Sequence, residues 1–394
     1  MKRNPDLLIV GPSPPPYNGM TLATELVVKA TEGRFTHVRL DTADRRGLAN
    51  VGKFDFGNVA FALRDGLKCL WLLASAHPRI VYVPISQAWL PFLRDCLFLI
   101  PARLTRRAVV VHLHGGAFGN FYSRTSPVMR WIIRYALGNA ACGIVLGKNV
   151  QGIFDGVIPS EQIHIVPNGI PDYFASGVQD GAGGGGPPVV LFLGTLVAEK
   201  GFLDVLRALP RVRERVGSIR AIFAGEWYSQ RDKEAAETIV ETSGLGESVD
   251  FVGPVGPDRK HALLRAADIF VFPSANEGHP YVILEAMAAG RPIISTNVAC
   301  IPEMVQDELN GFLIESGDVE KLAEKICALL TDHALCKRMG EASREKFLRE
   351  FTFDKFAQRM CAVFSSIVTG KQLLTATGPK LIDSITRSDR QTRD

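Results

Sequence analysis

Two carboxylates bracket the start of a predicted helix in the run Glu277-Gly-His-Pro-Tyr-Val-Ile-Leu-Glu285. Pro280 suits the first helical position, and Gly290 followed by Pro292 ends the helix. Glu277 then lies in the entry loop and Glu285 in the second turn. The flanking strands are strongly apolar, so shielded carboxylates here need hydrogen-bond donors or a cation. Sugar and ribose hydroxyls are suitable donors, and the free N–H groups at the helix start suit an anion such as a diphosphate.

The same two acids also have a purely structural explanation. In that reading Glu277 caps a loop and Glu285 pairs with a neighbouring arginine. The strand-loop-helix context favours a ligand site instead.

Two histidines, His112 and His114, precede a Gly-Gly pair at the end of another apolar run. We expect their side chains to point to opposite faces of a strand, so that only one faces a cleft. His114 is better placed, because ligands of open α/β sheets bind at the carboxyl ends of the strands. His112 is then a core residue.

Two loops are predicted to approach a phosphate. Gly19 ends a proline-rich loop after the first strand and leads into a helix predicted to begin near Thr21; a glycine lets the backbone come close to a phosphate. A proline-stiffened turn is the structural alternative. Lys200 lies in a turn after the strand that ends at Gly194, where its flexible ammonium can reach a diphosphate.

These motifs together resemble the retaining glycosyltransferases of family four, which have the two-domain GT-B fold. The resemblance spans residues 11 to about 315 and rests on Glu277-x7-Glu285, Val166-Pro-Asn-Gly-Ile170, Gly194-x5-Lys200-Gly201, His112-x-His114-Gly-Gly and the loop ending Asn18-Gly19. It implies that a nucleoside diphosphate sugar binds the second domain and an acceptor hydroxyl the first. Positioning and charge stabilisation would carry the catalysis, with no obligatory covalent nucleophile.

The resemblance also implies roles for individual residues. Glu285 should accept hydrogen bonds from the ribose, and Glu277 from the transferred sugar. Lys200 would stabilise the diphosphate, and His114 would lie near the donor sugar and the acceptor, so Glu277, His114 and Lys200 form the predicted catalytic group. The predicted donor contacts are Gly19, Gly194, Thr195, Lys200, Glu277, Gly278, His279, Pro280, Tyr281, Val282 and Glu285.

The chain departs from the family pattern at two places. Many relatives have an arginine directly after the glycine that corresponds to Gly194, and this chain has Thr195. Either Thr195 donates a weaker hydrogen bond in place of the arginine, or another basic residue such as Arg259 or Arg265 supplies the missing positive charge. The family often has two adjacent glycines where this chain has Asn18-Gly19-Met20.

The composition is that of a globular two-domain protein: 394 residues, 46% hydrophobic and 22% charged. No apolar stretch reaches the roughly 18 residues that a bilayer span needs, and the amino-terminal run predicts a strand, not a signal peptide, so we expect a cytoplasmic protein. Seven scattered cysteines predict buried reduced thiols. Residues 1–176 hold 19 Lys/Arg against 11 Asp/Glu, which favours an anionic partner.

Apolar runs alternate with segments of helical length in both halves, which predicts two Rossmann-like α/β domains with parallel sheets. We place an acceptor-binding domain at 1–171, a linker at 172–188 and a nucleotide-sugar-binding domain at 189–350. The resemblance implies that a helix over 351–370 braces the first domain. The polar tail over 371–394 is predicted to be disordered. The glycine-rich linker and Gly147-Lys148 lack the spacing and hydroxyl residue of a P-loop.

The segment from Trp89 to Arg107 combines apolar residues with a basic end. It suits an interfacial helix on anionic lipid, or an internal helix that packs on the first sheet with its arginines at the solvated end. The basic first half favours an anionic partner, and we expect peripheral contact with the inner face of a membrane through this half.

The resulting prediction is a retaining, metal-independent hexosyltransferase without a cofactor. It would use a nucleoside diphosphate sugar and a lipid-linked glycan of cell-surface polysaccharide biosynthesis, and no nucleic acid. No Asp-x-Asp offers an obvious carboxylate pair for a metal. The alternatives are a GT-B nucleotide-sugar epimerase, a phosphorylase, for which no clear pyridoxal-phosphate lysine stands out, and a catalytically impaired nucleotide-sugar-binding scaffold, which Thr195 favours.

Overall fold

The computed structural model describes residues 4–15, 18–45, 56–177 and 186–370. The first half of the chain forms one parallel sheet whose order is β2-β1-β3-β4-β5-β6. Its strands are β1 (Leu7–Gly11), β2 (His37–Asp41), β3 (Ile80–Ile85), β4 (Ala108–Leu113), β5 (Cys142–Val145) and β6 (Ile163–Ile165).

Helices connect these strands and cover both faces of the first sheet. Leu7 and Ile9 of β1 pack into one apolar cluster, and Leu8 and Val10 into the other, as expected for a strand buried on both sides. The connecting helices are α1 (Gly19–Thr31), α2 (Phe56–Ser75), α3 (Trp89–Leu104), α4 (Phe118–Arg124) and α5 (Pro127–Leu137).

The second half forms another parallel sheet, with the order β12-β11-β10-β7-β8-β9. Its strands are β7 (Val189–Leu193), β8 (Arg220–Ala224), β9 (Val249–Gly253), β10 (Ile269–Phe272), β11 (Ile293–Thr296) and β12 (Gly311–Ile314). The helices are α6 (Phe202–Val216), α7 (Gln230–Thr242), α8 (Pro257–Ala266), α9 (Tyr281–Ala288), α10 (Ile301–Met304), α11 (Val319–Thr331), α12 (His333–Glu350) and α13 (Phe353–Thr369). The prediction of two parallel-sheet halves is confirmed.

The chain crosses back to the first half after α12. In the range 351–370, where a helix is expected, α13 begins at Phe353, because the chain bends at Phe351 and Thr352 after α12. Ile170 fastens this bend: its N–H donates to the Phe351 carbonyl (3.1 Å), and its own carbonyl accepts from the Phe353 N–H (2.7 Å). Helix α13 then packs against α1.

The first residues of the predicted linker are packed against the rest of the chain. Asp172 makes a two-pronged ion pair with Arg344, at 2.6 and 2.7 Å, and Phe174 is fully buried. Residues 178–185 of that linker, and the tail over 371–394, lie outside the described residues. The domain boundaries stay a prediction.

Helix α1 begins at Gly19, two residues before the predicted Thr21. The side chain of Asn18 accepts hydrogen bonds from the N–H groups of Met20 and Thr21, both at 3.0 Å, and the Thr21 hydroxyl accepts from the Asn18 N–H (2.9 Å). This reciprocal cap satisfies donors that have no partner inside the helix, so it sets the helix start earlier.

The seven cysteines are free thiols, and all but the half-buried Cys336 are buried. This confirms the expectation of reduced thiols. Within the described ranges, no helix is both long and apolar enough to cross a bilayer.

Candidate functional site

The loop between β10 and α9 places Glu277 beside a cation from another turn. Lys200 ends a short 3₁₀ turn (Ala198–Lys200) after β7, and its ammonium contacts the Glu277 carboxylate at 2.5 Å. The Lys200 side chain keeps 29% of its surface exposed and that of Glu277 10%. The pair is therefore desolvated enough to be strong and open enough for a ligand to reach.

Close backbone packing fixes this lysine turn against the Glu277 loop. Gly201 has a positive φ of 78°, and a Cβ there would lie 2.2 Å from the Pro273 carbonyl oxygen, so only glycine fits. The carbonyl of Glu199 accepts the Ala275 N–H at 2.9 Å, and its carboxylate accepts the Asn276 amide at 3.1 Å. The two loops thus form one rigid support for the Lys200–Glu277 pair.

Glu285 lies in the second turn of α9, as predicted, and is 3% exposed. Lys260 of α8, and not an arginine, pairs with its Oε1. The other carboxylate oxygen, Oε2, has no hydrogen-bond partner among the described residues. Burial raises the pKa of Glu285 above its usual range, against the opposing effect of the Lys260 charge. Pro280 precedes this helix and does not occupy its first position.

The two histidines lie on the same side of the first sheet, so the expectation of opposite faces is wrong. Residues two positions apart on a strand share a face, and the rings of His112 and His114 are 3.9 Å apart, centre to centre. The Tyr82 hydroxyl lies 2.7 Å from Nδ1 of His112 and 3.5 Å from Nε2 of His114. Burial lowers the pKa of His114 to about 4 and that of His112 well below its ordinary value, so both are neutral at pH 7.

The His114 loop touches the Glu277 loop directly, across the cleft between the sheets. Gly115 and Gly278 form an antiparallel bridge. A Cβ on Gly278 would lie 2.2 Å from the His114 carbonyl oxygen, and one on Gly116 would lie 2.7 Å from that of Glu277. These glycines are required by close approach of the two backbones.

Two asparagines of the first half strengthen this contact. The buried Asn168 amide donates to the His279 carbonyl at 2.9 Å. Asn149 donates its N–H to the Glu303 carboxylate at 2.8 Å and its amide to the Ala299 carbonyl at 3.1 Å. The Val-Pro-Asn-Gly motif and the Gly147-Lys148 turn therefore hold the two sheets together.

The remaining predicted donor contacts lie at the start of α9, in the turn after β7 and in the loop after β1. Gly278, His279 and Pro280 are buried, whereas Tyr281 and Val282 are half-buried at the start of α9. Gly194 has a φ of 152°, and its carbonyl oxygen would lie 1.8 Å from a Cβ on Gly225; Thr195 follows it, half-buried. Gly19 lies after β1, with open space where a Cβ would be; residues 16 and 17 of its loop lie outside the described residues.

Neither arginine considered as a substitute for the missing cation contacts Lys200 or the acids in the part of the chain that the structure describes. The Arg265 guanidinium lies 4.9 Å from the Phe174 ring centre and 3.4 Å from the Tyr173 carbonyl. Arg259 is exposed on α8, beside Lys260 in sequence. The sequence analysis considered Arg259 and Arg265 on this helix but missed Lys260, which pairs with Glu285, and it also missed Tyr82, because long-range pairing leaves no local signal.

Polar atoms that are buried but lack a partner concentrate on the two walls of the cleft. Among the described residues, seven of the ten such side-chain atoms belong to this region: His112 Nε2, His114 Nδ1, Asn168 Oδ1, His279 Nδ1 and Nε2, Tyr281 Oη and Glu285 Oε2. Such atoms are costly in a folded protein and are usually satisfied. Their concentration is typical of a site that binds a polar ligand.

Two parallel six-stranded sheets that meet across a cleft define the GT-B class. HepE from Anabaena, solved in complex with UDP-glucose, has a TM-score of 0.70 and 18% identity to this chain, covering 92% of it and 100% of HepE. At that identity the likeness shows the fold.

Sequence comparisons find a similar family and similar proteins. Residues 179–346 match the model described as glycosyl transferases group 1. The GDP-mannose-dependent alpha-(1-6)-phosphatidylinositol monomannoside mannosyltransferase of Mycobacterium tuberculosis is 32% identical over 181 residues, 44% of this chain and 46% of the relative, so the chain spans about half the length of that relative. The glycogen synthase of the same organism is 27% identical over 339 residues, 81% of this chain and 79% of the relative. In the region that this model matches, the chain is similar to the glycosyl transferases group 1 family.

Proposed function

We propose that this protein is a retaining glycosyltransferase that moves a hexosyl group from a nucleoside diphosphate sugar to a hydroxyl of a lipid-linked glycan acceptor. The observation that carries the proposal is the pair of acids around α9. Glu277 is held by Lys200, and Glu285 is held by Lys260 with one buried oxygen unpartnered. A ligand rich in hydroxyls and carrying a diphosphate supplies what both acids and both lysines need.

The donor would bind to the second wall, which is the side of the cleft that carries Glu277 and Glu285; the first wall is the side that carries His112 and His114. Glu285 Oε2 accepts a hydrogen bond from a ribose hydroxyl, because a buried carboxylate oxygen without a partner is stabilised most by such a donor. Glu277 accepts hydrogen bonds from hydroxyls of the transferred sugar. Lys200, whose side chain is flexible and partly exposed, turns from Glu277 towards the diphosphate, and the first N–H groups of α9 face its oxygens.

The reaction would proceed on one face of the sugar. The bond from the anomeric carbon to the diphosphate oxygen breaks as the acceptor oxygen bonds to the same carbon, and the acceptor proton moves to the departing phosphate oxygen. Lys200 stabilises the charge on that leaving group. Neutral His114 positions the sugar and the acceptor hydroxyl by hydrogen bonding from the first wall.

The names of similar proteins support a nucleotide-sugar donor. One relative is described as GDP-mannose-dependent, and HepE was solved with UDP-glucose. We propose that the chain uses a donor of this class with the acceptor on the cytoplasmic side of a membrane. A catalytically impaired nucleotide-sugar-binding protein is the second candidate, favoured by Thr195 where many relatives have a cation.

The decisive experiment measures three quantities on the purified protein. A thermal-shift panel of nucleotide sugars finds the donor, since a ligand at 100 times its Kd stabilises by about 2.7 kcal/mol. Release of nucleoside diphosphate is then compared with and without a lipid-linked acceptor extract, and the anomeric configuration of the product is determined. Acceptor-dependent release with retained configuration is expected. Binding without turnover would favour the scaffold, and conversion of the donor without an acceptor would favour an epimerase.

Metal independence is a separate part of the proposal. Lys200 and the start of α9 would handle the diphosphate charge, so turnover should be unchanged when EDTA is added. Loss of activity on chelation, restored by magnesium, would contradict it.

A further inference from the structure

Helix α2 presents its apolar face to solvent. Phe56, Leu63, Leu67 and Trp71 are spaced by seven, four and four residues, which puts them on one side of the helix, and they are 86%, 55%, 67% and 67% exposed. Val59 and Leu70 extend the same stripe. An amphipathic helix normally turns such a stripe towards the core, and this one does the reverse.

The opposite side of α2 carries the packing. Its buried residues are Asp65, Gly66, Cys69 and Leu73. Gly66 lies against α3, since a Cβ added there would lie 3.2 Å from the Leu97 Cβ. The helix is therefore fixed in an orientation that leaves the apolar stripe outward.

The neighbouring helices continue this surface. Helix α2 packs on α3 and α3 packs on α5, so the three form one layer on the first sheet. Trp89 of α3 is 57% exposed, and Val128 and Trp131 of α5 are 69% and 65% exposed. Three of the four tryptophans of the chain thus lie on the outside of this layer, which we call the α2–α3–α5 face.

The predicted Trp89 segment is only the edge of this face. Phe92, Phe98 and Leu99 of α3 are fully buried in the core of the first half, and α3 contacts β3 and β4. The structure therefore supports the internal-helix alternative for most of this segment. The exposed apolar surface lies chiefly on α2, which the sequence analysis did not single out.

Charge on this face is of one sign. Residues 56–137, all described, contain ten Lys/Arg and two Asp/Glu. Both acids, Asp65 and Asp95, are buried and paired with the arginine that precedes each. Lys68 and Arg130 are exposed on α2 and α5. No carboxylate within this range reaches solvent to oppose an anionic surface.

We propose that the α2–α3–α5 face docks the protein onto a bilayer that contains anionic lipid. Exposed tryptophan and leucine side chains suit the interface between headgroups and acyl chains, and the lysine and arginine side chains suit the lipid phosphates. A layer of three helices whose exposed charged side chains are all basic suits the negatively charged surface of such a bilayer. An apolar patch of this kind on a protein surface marks an interaction site.

The docked face leads to the cleft. Gln87, two residues before Trp89, accepts the Ala117 N–H at 2.6 Å, in the loop that carries His114 and Gly115. If the proposed acceptor is lipid-linked, docking by this face brings it to the first wall; this step rests on the proposed function, whereas membrane docking does not.

The first test is co-sedimentation of the full chain with vesicles. Mixed phosphatidylcholine–phosphatidylglycerol vesicles should bind the protein, and pure phosphatidylcholine vesicles should bind it weakly. The double variant Leu67→Ser, Trp71→Ser should lower the partition coefficient more than about tenfold, because it removes two inserted side chains. The matched control is Leu309→Ser with Leu348→Ser, two exposed leucines of the second half, and it should bind like the parent protein.

The second test concerns charge. Lys68→Gln should weaken binding to the anionic vesicles about fivefold, and added salt should weaken it further. Lys29→Gln, an exposed lysine of α1 outside the α2–α3–α5 layer, should have no effect. Thermal shifts with UDP and GDP, measured on every variant, report donor binding and folding separately from docking.

Three outcomes would overturn the proposal: no binding to anionic vesicles, unchanged binding of the Leu67 and Trp71 double variant, or equal loss in the Leu309 and Leu348 control. A concentration-dependent dimer that the double variant dissociates, without vesicle binding, would also overturn it and assign the face to a second copy of the chain. Normal vesicle binding without transferase activity would instead leave docking intact and contradict the proposed function.

Discussion

The two walls of the cleft handle charge in opposite ways. The second wall has two acids, and each has a lysine from a different element: Glu277 with Lys200, and Glu285 with Lys260. The first wall has His112 and His114, which burial keeps neutral. The charged second wall would bind the donor. The neutral first wall would position the acceptor and would carry no positive charge that competes with Lys200 for the diphosphate of the donor.

This difference shows which surroundings allow a buried carboxylate and which allow a buried imidazole. A buried carboxylate persists when a cation and hydrogen-bond donors reach it, and α8 and the turn after β7 bring those cations. A buried imidazole needs no such partner, because it gives up its proton instead. Each of the following experiments alters one residue of one wall.

Glu277→Gln should have the largest effect. It keeps the side-chain shape and removes the charge that pairs with Lys200 and that, in the proposed mechanism, holds the sugar, so turnover should fall by about 10² to 10³, with donor affinity changed much less. Steady-state kinetics and calorimetric donor binding measure the two. Glu341→Gln, an exposed acid on α12, is the control. Unchanged kinetics would remove Glu277 from the mechanism.

Gly278→Ala should push the walls apart. The added Cβ would lie 2.2 Å from the His114 carbonyl oxygen, so the backbones must shift, and a displacement of about 1 Å costs about 10² in turnover. Nucleotide binding by the second wall should survive. Gly246→Ala, where a Cβ meets no atom within 4 Å, is the control. Full activity in Gly278→Ala would show that contact between the walls is dispensable.

His112→Gln tests the neutral wall through pH. The lowered pKa of His112 means that the native state binds fewer protons than the unfolded state below pH about 6.5, so stability is present above that pH and falls as pH falls. One such histidine costs up to about 1.4 kcal/mol per pH unit. Glutamine cannot titrate and keeps a partner for Tyr82.

The free energy of unfolding in urea at several pH values, from 7 downwards, measures this effect. The His112→Gln curve should be flatter than that of the parent protein, and the exposed His333→Gln should match the parent. Parallel curves for all three proteins would mean that folding leaves the pKa of His112 unchanged.

Glu285→Gln should have the smallest effect, on donor affinity alone. Loss of a charged hydrogen-bond acceptor weakens nucleoside diphosphate binding about tenfold. The loss should shrink for a deoxynucleoside diphosphate, which lacks a ribose hydroxyl. Calorimetric titrations with both ligands make the comparison, and equal losses for the two would place Glu285 away from the ribose.

Much of the second wall could be predicted from the sequence. Glu285 in the second turn of a buried helix, and Lys200 in a turn after a strand, both follow from local spacing and punctuation, and the structure agrees. Lys260 could not be read this way, since it lies 25 residues from Glu285 on another helix. Only the tertiary fold, which brings the lysine of α8 to the acid of α9, sets the distance between the two side chains.

For the first wall, the sequence predicted the location of the histidines but not their orientation or their partner. The motif His112-x-His114 marked the correct strand end, yet the expected orientation was wrong, although the two-residue period of a strand contains the answer. Tyr82 on β3 joins the histidines because β3 pairs with β4. A pairing between strands 30 residues apart leaves no trace in either strand alone.

The sequence by itself determined the alternation of strands and helices, the two acids on α9 and the glycines that let backbones meet, because these depend on local spacing and residue type. The tertiary structure decided which cation each acid receives, how the Gly115–Gly278 bridge joins the walls, and that the stripe on α2 faces outward. Periodicity assigns such a stripe to one side of a helix, and only the competition among all packing surfaces decides which side is buried.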